Sequence, residues 1–487
     1  MADWTSSDLS AASIQGEALA YLRKESLDIY NRIHSIDEDV AFVNQVRAFY
    51  PEQALLPNLR CGAWYTDPQL ARKDPAYFKS TDGHYHGWSF NLRRPNLHLL
   101  SVAIEHSGII LVDSTRSGKR LPDALSKTVP IWCAVINRAI CLRHEDPLNE
   151  SPWDTALYTP PGAVSAQEHQ QIEAKLDDWA RDLSNSSYTL PNLPHPLRPF
   201  WITPMTTSFP STASSPGQPF IPIICVSASR QVHEGVERRS LGFAYVQGSG
   251  DDHELWGMGL DPKLFWEHKG ELLQAERHDL PALVGRLVAL RRPHQADGSN
   301  GWRTPPTPIA KASGRIQLCS LSDLPNPLPG ESSTSDASPS QTFILLHPTD
   351  DALPTAEPSP AYGLPQRILH LRLAPGKRGQ HDFLHKVLPQ AVSFASSALS
   401  GSASAVVVAC EAGKDASVGV ALVLLQLFVD DAGVVHSRPI AGTSTKQSIR
   451  TRLEWIIASR PEANPSRTTL KRVNEYLLSS AFEPAPS

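Results

Sequence analysis

The stretch that most constrains this chain is Ala405-Val406-Val407-Val408-Ala409, which runs straight into Cys410-Glu411-Ala412-Gly413-Lys414-Asp415-Ala416-Ser417. A short run of small and β-branched apolar residues fits a strand buried on both faces. After the loop, an apolar run from about Val418 reads as a helix. Strand, glycine-containing loop and helix N-terminus in that order make an anion site. Unpaired backbone N–H groups and the positive helix end converge on whatever the loop encloses. Upstream, Phe343–Leu346 and Ile368–Leu373 read as buried strands and Asp382–Leu399 as a helix. This alternation predicts an α/β sandwich with a mostly parallel sheet.

The loop resembles the active-site loop of dual-specificity phosphatases: Cys, two residues, Gly, two residues, Arg, then Ser or Thr. Cys410, Ala412, Gly413 and Ser417 match, but Ala416 stands where the arginine belongs and Ala409 replaces the preceding histidine. Without the arginine, the bidentate clamp on phosphate is gone, together with a charge that lowers the cysteine pKa. Hydrolysis is therefore not expected. The expectation is a phosphate cradle made by Cys410, Gly413, Lys414, Asp415 and Ser417, with Lys414 as a point charge; the bland alternative is a vestigial loop that only packs.

With 487 residues, 41% hydrophobic and 20% charged, the chain suffices for two or three cores and is too apolar for wholesale disorder. Its 42 prolines concentrate in a few stretches. The clearest is Pro325–Gln341, whose Pro/Ser composition reads as a linker. The predicted organisation is an N-terminal α/β domain over 1–324 with an insertion loop at about 205–220, a linker at 325–341, and a C-terminal α/β domain over 342–487. Leu9 to Tyr50 reads as helical, Asn96 to Val112 as strand-like and Ile221–Val226 as a second strand.

The formal net charge of −5 excludes a nonspecific nucleic-acid binder with a global basic field but permits a local basic face. Met1–Ser13 lacks the basic-then-apolar pattern of a signal peptide, and the apolar stretch Ala416–Val429 is short of the roughly 20 residues that span a bilayer. The six scattered cysteines have no zinc-type spacing. A reduced, cytoplasmic protein with no membrane partner is expected.

Three polar segments of the N-terminal part carry candidate chemistry. Lys79 to Asn96 mixes hydroxyls, His84 and His86, aromatic residues, Arg93 and Arg94, a mixture suited to phosphate and ribose contacts with stacking. Ile109–Val112 is a strand ending in Asp113-Ser114-Thr115-Arg116-Ser117-Gly118-Lys119-Arg120, with Asp123 and Lys127 beyond. An acid and hydroxyls at a strand end, then glycine and cations, suit a sugar phosphate or diphosphate; a solvated turn is the alternative. Asp251, Asp252 and Glu254 with His253 suit either Mg²⁺ or a helix start. In the C-terminal part, Lys446, Arg450, Arg452, Arg460, Arg467, Lys471 and Arg472 face only Glu454 and Glu462, an excess suited to a phosphate backbone or to a solvated helix.

Taken together, Cys61-Gly-Ala-Trp64-Tyr65, Lys79 to His84, Asn96 to Leu99, Val112 to Arg116, Ala124 to Trp132, Gln247 to Trp256, Cys410 to Val420 and Asn464 to Arg467 resemble the initiator-tRNA phosphoribosyltransferases of fungi and plants. The resemblance implies an N-terminal α/β domain peculiar to that family and a dual-specificity-phosphatase-like C-terminal domain. It further implies transfer of a 5-phosphoribosyl group from phosphoribosyl diphosphate to the 2′-hydroxyl of a T-stem adenosine, position 64, of initiator methionyl tRNA, with Mg²⁺ accompanying the donor. No protein partner is implied. On that reading Arg116, Lys119, Arg120 and Lys127 would stabilise the leaving diphosphate, and Asp113 would bind ribose or metal or act as base. Lys79, Arg93, Arg94, Arg450, Arg452 and Arg467 would meet tRNA or substrate, with Asp251 and Asp252 as metal ligands. The competing readings are a non-catalytic tRNA-binding pseudophosphatase and a phosphoester hydrolase.

Overall fold

In the computed structural model the described residues are 16, 19–116, 118–143, 153–211, 219–232, 236–238, 242–290, 302–325, 328, 341–348, 367–374, 376–400, 404–440 and 444–479. The chain forms two units, one running to Arg292 apart from Ser186–Tyr188, the other comprising those three residues and Pro293 onward.

In the first unit, Asp28 caps helix α1 (Ile29–Phe49) by accepting hydrogen bonds from the N–H groups of Tyr30 and Asn31. Ile29, Ile33, Ile36, Val40 and Val43, spaced by three or four, form its buried stripe. The helical expectation for this region holds over the described residues 19–27 and 29–49.

The strand expectation for Asn96 to Val112 holds only at its end. Residues His98–Glu105 form helix α2, and β2 is confined to Ile109–Asp113. Leu99, Leu100, Val102 and Ala103 are buried at helical spacing, a period that the eye reads as a continuous apolar run. With β1 (Ala54–Pro57), β3 (Leu197–Ile202) and β4 (Ile221–Ser227), β2 builds a fully parallel sheet in the order β1-β2-β4-β3.

A π-turn at Ala124–Thr128 leads into helix α3 (Val129–Arg143). By composition Ala124–Arg143 is long and apolar enough to cross a membrane, but 83% of its apolar window is buried, which makes it a core helix. Helices α4 (Ala166–Glu173) and α5 (Leu176–Ser184) follow. A hairpin, β5 (Val236–Arg238) and β6 (Ala244–Val246), precedes α6 (Pro262–Glu267), α7 (Lys269–Gln274) and α8 (Leu280–Leu290). These last three pack with α1 on Leu55, Ile110, Val112, Ile224 and Val226 of one sheet face. The parallel arrangement puts the ends of β1, β2 and β4 on one edge, where ligands of such sheets bind.

The second unit is a five-stranded sheet in the order β10-β9-β11-β8-β7, formed by β7 (Thr307–Pro308), β8 (Ile316–Ser320), β9 (Gln341–Pro348), β10 (Ile368–Leu373) and β11 (Ala405–Cys410). All pairings are parallel except β7 with β8. Helix α9 (Gly376–Asp382), a π-turn at Phe383–Val387 and α10 (Leu388–Ala398) fill the predicted helical stretch. Helix α11 (Ala416–Phe428) starts two residues before the predicted Val418. Helices α12 (Lys446–Ser459) and α13 (Arg467–Leu478) complete the unit.

The predicted domain boundary requires correction. Residues 307–320 were expected to belong to the first domain, but β8 pairs with β11 from Val406↔Ile316 to Cys410↔Ser320, at the centre of the second sheet. The Pro/Ser-rich stretch, of which 326–327 and 329–340 lie outside the described residues, therefore connects β8 to β9 within one unit. In the expected 205–220 loop, 212–218 likewise lie outside. Cys319, Phe343, Leu345, Val407 and Ala409 form one core cluster across that seam. A fragment beginning at residue 325 leaves the β11 edge unpaired and is expected to aggregate, whereas one beginning at 293 should be monomeric with a cooperative melt by circular dichroism.

Candidate active site

At the carboxyl edge of the first sheet, β2 ends in Asp113, which is completely buried. Its Oδ2 accepts a hydrogen bond from Asn58 Nδ2 at 2.9 Å, and its Oδ1 accepts from the Ser114 N–H at 2.9 Å and from the Cys61 thiol at 3.0 Å. Arg60 Nε lies 3.2 Å from both oxygens. The Arg60 Nη1 donates to Asp251 Oδ1 at 2.6 Å. One guanidinium thus bridges the loops after β1, β2 and β6.

Burial opposes the charge on Arg60, but Asp113, with Cys61 and Asp251, more than offsets this and holds the group firmly protonated. Burial pushes the Cys61 thiol well up, and the neighbouring Asp113 adds to it, so the thiol keeps its proton and donates it to the carboxylate. Burial also raises Asp251, with Arg60 pulling the other way.

The loop from β6 is held equally tightly. Gly248 has φ +67, and a Cβ there would lie 2.6 Å from the Thr115 carbonyl oxygen, so only glycine lets the two loops touch. Arg32 of α1 donates to the Ser249 carbonyl at 3.1 Å. Burial lowers the Arg32 pKa to about 10, and its guanidinium lies over Trp256. Gln247 ties the cationic loop down by donating to the Lys119 carbonyl at 2.7 Å.

Above this floor the predicted cations separate into two sets. Arg116, Lys119 and Arg120 are exposed, Arg116 pairing with Asp252 and Lys119 with Asp123 at 3.0 Å. Lys127 is buried in the π-turn between Asp123 at 3.0 Å and Glu168 at 3.1 Å. It therefore braces the loop, and the expectation that it meets the leaving group is corrected. Asp113 is corrected in the same way: its oxygens are occupied and shielded, which rules out ribose, metal or base duty in this arrangement. Asp251 and Asp252 each face an arginine, so the pair does not form a metal site. Among the described residues no cluster of three or more His, Cys, Asp or Glu could hold a metal ion. His84 is exposed and lies 3.7 Å from Asp123.

Lys79 is exposed and Arg93 half-buried, whereas Arg94 is closed off in an ion pair with Asp82 at 2.8 Å and lies over Tyr77. Sequence reasoning missed Arg60 and Asn58, although Arg60 directly precedes the Cys61-Gly-Ala-Trp motif. It also missed the buried chain in which Ser114 Oγ donates to Ser229 Oγ, while Ser229 and Tyr245 donate to Asp39.

In the second unit the cysteine loop follows the central strand, as its sequence predicts. Cys410 Sγ lies 3.0 Å from Ser417 Oγ. Gly413 has φ +64 and its absent Cβ would lie 2.6 Å from the Cys319 carbonyl. The loop is braced from behind. Arg460 Nε donates to the Gly413 carbonyl at 3.0 Å and the Asn464 N–H to the Lys414 carbonyl at 2.9 Å. The Asp415 carboxylate accepts from the Ser466 N–H at 2.9 Å and the Thr469 hydroxyl at 2.6 Å. Asp415 thus caps α13 and is not free to join a phosphate cradle, which corrects its expected role. Lys414 is exposed at the loop tip.

Of the expected tRNA-facing arginines, Arg467 is exposed and Arg450 lies 3.4 Å from Glu454. Arg452 is buried, donating to the Val429 carbonyl at 3.0 Å and to Asp431 at 2.7 Å. Its packing over Trp455 removes it from any surface.

Two outcomes test this arrangement. Asp113→Ala should lower unfolding free energy by about 3 kcal/mol in urea titrations, because it strands Arg60, whereas Asp252→Ala at the rim should cost below about 1 kcal/mol. Burial raises the Asp39 carboxyl well above its usual range. Its contribution to stability is therefore complete below about pH 4, where the unfolded chain is also protonated, and is lost as pH rises toward the folded value. Asp39→Asn should flatten the decline of the urea midpoint between pH 5 and 8.

Residues 22–289 match the Rit1 N-terminal domain and residues 367–477 the Rit1 DUSP-like domain. The chain is 40% identical over 268 residues to the tRNA A64-2′-O-ribosylphosphate transferase of Saccharomyces cerevisiae, an alignment spanning 51% of each chain. It is 32% identical over 464 residues to an uncharacterized protein of Schizosaccharomyces pombe, covering 92% of this chain and 94% of that one. The chain thus spans about half the length of the first relative and nearly all of the second. The mixed α/β architecture and the DUSP-like second unit agree with these matches, and the chain belongs to the Rit1 family, the initiator-tRNA ribosylphosphate transferases.

Proposed function

We propose that this protein transfers a 5-phosphoribosyl group from phosphoribosyl diphosphate to the 2′-hydroxyl of adenosine 64 of initiator methionyl tRNA. The observation that carries the proposal is the exposed cationic loop Arg116 to Arg120 at the carboxyl edge of β2, mounted on the buried Asp113–Arg60–Asp251 bridge. Family membership and the named yeast relative support the same chemistry.

In the reaction the 2′-oxygen forms a bond to the anomeric carbon, and the bond to diphosphate breaks with its electron pair leaving on diphosphate. The transition state is oxocarbenium-like, so the need is for cations at the leaving group and an acceptor for the hydroxyl proton. Arg116, Lys119 and Arg120 meet the first need. With Asp113 sealed, the exposed carboxylate of Asp252 is the acceptor that the loop offers. Asp113 and Lys127 are positioning residues. Mg²⁺ enters as the ion that the diphosphate brings with it, since Asp251 and Asp252 are engaged with arginines.

The test is incubation with labelled phosphoribosyl diphosphate and initiator tRNA, with elongator methionine tRNA as control. Label should enter only the initiator. Arg116→Ala and Lys119→Ala should each lower kcat/KM about 100-fold, while Cys410→Ser should leave transfer intact, as expected of a loop without the phosphatase arginine. Binding of tRNA without incorporation of label would establish the pseudophosphatase reading instead.

A further inference from the structure

The second unit holds a cationic surface that the cysteine loop and the Lys446–Arg472 stretch do not include. A groove of about 700 Å³ runs between β10 and the α9–π-turn–α10 segment, lined by His370, Arg372, Ala374, Arg378, Asp382 and Lys386 among others. Arg372, Arg378 and Lys386 are exposed, as are Arg367 and Lys377 on the same stretch. Over the described residues of 367–390, five Lys and Arg side chains face one acid, Asp382, in a chain whose net charge is −5. That acid is already paired with Lys386 at 2.9 Å.

Positions 378, 382 and 386 recur every four residues, so one helical face presents its charges to the groove. His370 adds an exposed ring stacked on His347. Ala374 lines both this groove and a smaller cavity of about 150 Å³ bordered by Asp415, Ala416 and Ser466. The basic groove therefore adjoins the place where the phosphatase arginine is missing.

A charged edge strand is a common guard against strand pairing. That accounts for Arg372 on β10, but not for Arg378 and Lys386, which come from the facing helical segment. A row of cations on two walls of an open groove fits a polyanion with regularly spaced charges.

We propose that this groove is a docking track for the sugar–phosphate backbone of the tRNA substrate, holding it by charge irrespective of sequence. The inference rests on the proposed transfer to tRNA, and the experiment separates the two. Full-length protein and the variants Arg372→Gln/Arg378→Gln/Lys386→Gln and Arg372→Glu/Arg378→Glu/Lys386→Glu would be titrated with fluorescent initiator tRNA and elongator tRNA at several salt concentrations.

The Gln variant should bind both tRNAs at least tenfold more weakly, with the slope of log K against log salt shallower by about two to three. It should raise KM for tRNA while leaving kcat at saturating tRNA and KM for phosphoribosyl diphosphate unchanged. The Glu variant should lose more affinity than the Gln variant, and matched circular-dichroism melts identify variants that remain folded. Wild-type affinity and salt slope in a folded Gln variant would overturn the proposal even where transfer proceeds. Unchanged tRNA binding with lost binding to phosphatidylserine vesicles would overturn it in favour of a membrane surface. Tight, groove-dependent tRNA binding with no transfer of label would sustain the groove and overturn the transfer reading alone.

Discussion

The Arg60 guanidinium, held between Asp113 at 3.2 Å and Asp251 at 2.6 Å, is the contact on which the first unit's candidate site depends. It crosslinks the loops after three strands at the sheet edge where a parallel fold gathers ligands. Because Asp113 is buried, removing either partner would leave a charge with no water to solvate it, so the arrangement is rigid. Rigidity there matters for the cations above. Arg116, Lys119 and Arg120 sit on a loop whose base is fixed by the Gly248–Thr115 contact and by Gln247. A loop already ordered before substrate arrives does not lose freedom when it meets a developing charge.

The second unit solves a different problem with the same means. Its cysteine loop keeps the strand–loop–helix geometry of a phosphatase, yet the bracing comes from outside the loop. Arg460 holds the Gly413 carbonyl, and Asp415 turns away to cap α13. An arginine within a phosphatase loop would reach inward to the phosphate; Arg460 instead bonds to a backbone oxygen. The groove lined by Arg372, Arg378 and Lys386 then supplies positive charge beside the loop rather than in it.

Much of this was legible in the sequence, for identifiable reasons. Strands β4, β9, β10 and β11 are short apolar runs bounded by breakers, and their period leaves little ambiguity. Residues 98–105 were misread because a helix buried on one stripe and a strand buried on both faces share long apolar stretches. The domain boundary was misread because low complexity marks a connection but not whether the elements it joins are neighbours in a sheet; β8 and β11 are some ninety positions apart and pair directly. At the site, residue type revealed the cations but not their partners. Asp113 and Lys127 looked like chemistry because acids and lysines usually sit in water, and their burial in ion pairs follows from neighbours distant in sequence, Arg60 and Glu168.

The sequence by itself determined the α/β character of both units, the loss of the phosphatase clamp at Ala416 and the family motifs, because each is a property of consecutive residues. The tertiary structure decided which charges are free. Asp113, Arg452 and Asp415 are spent on neighbours, while Arg116, Lys119, Arg372 and Arg378 face solvent. The physical reason is that an ionic group's role is set by what surrounds it in three dimensions. Desolvation and partner charges, which no local pattern records, separate a group that binds substrate from one that holds the fold together.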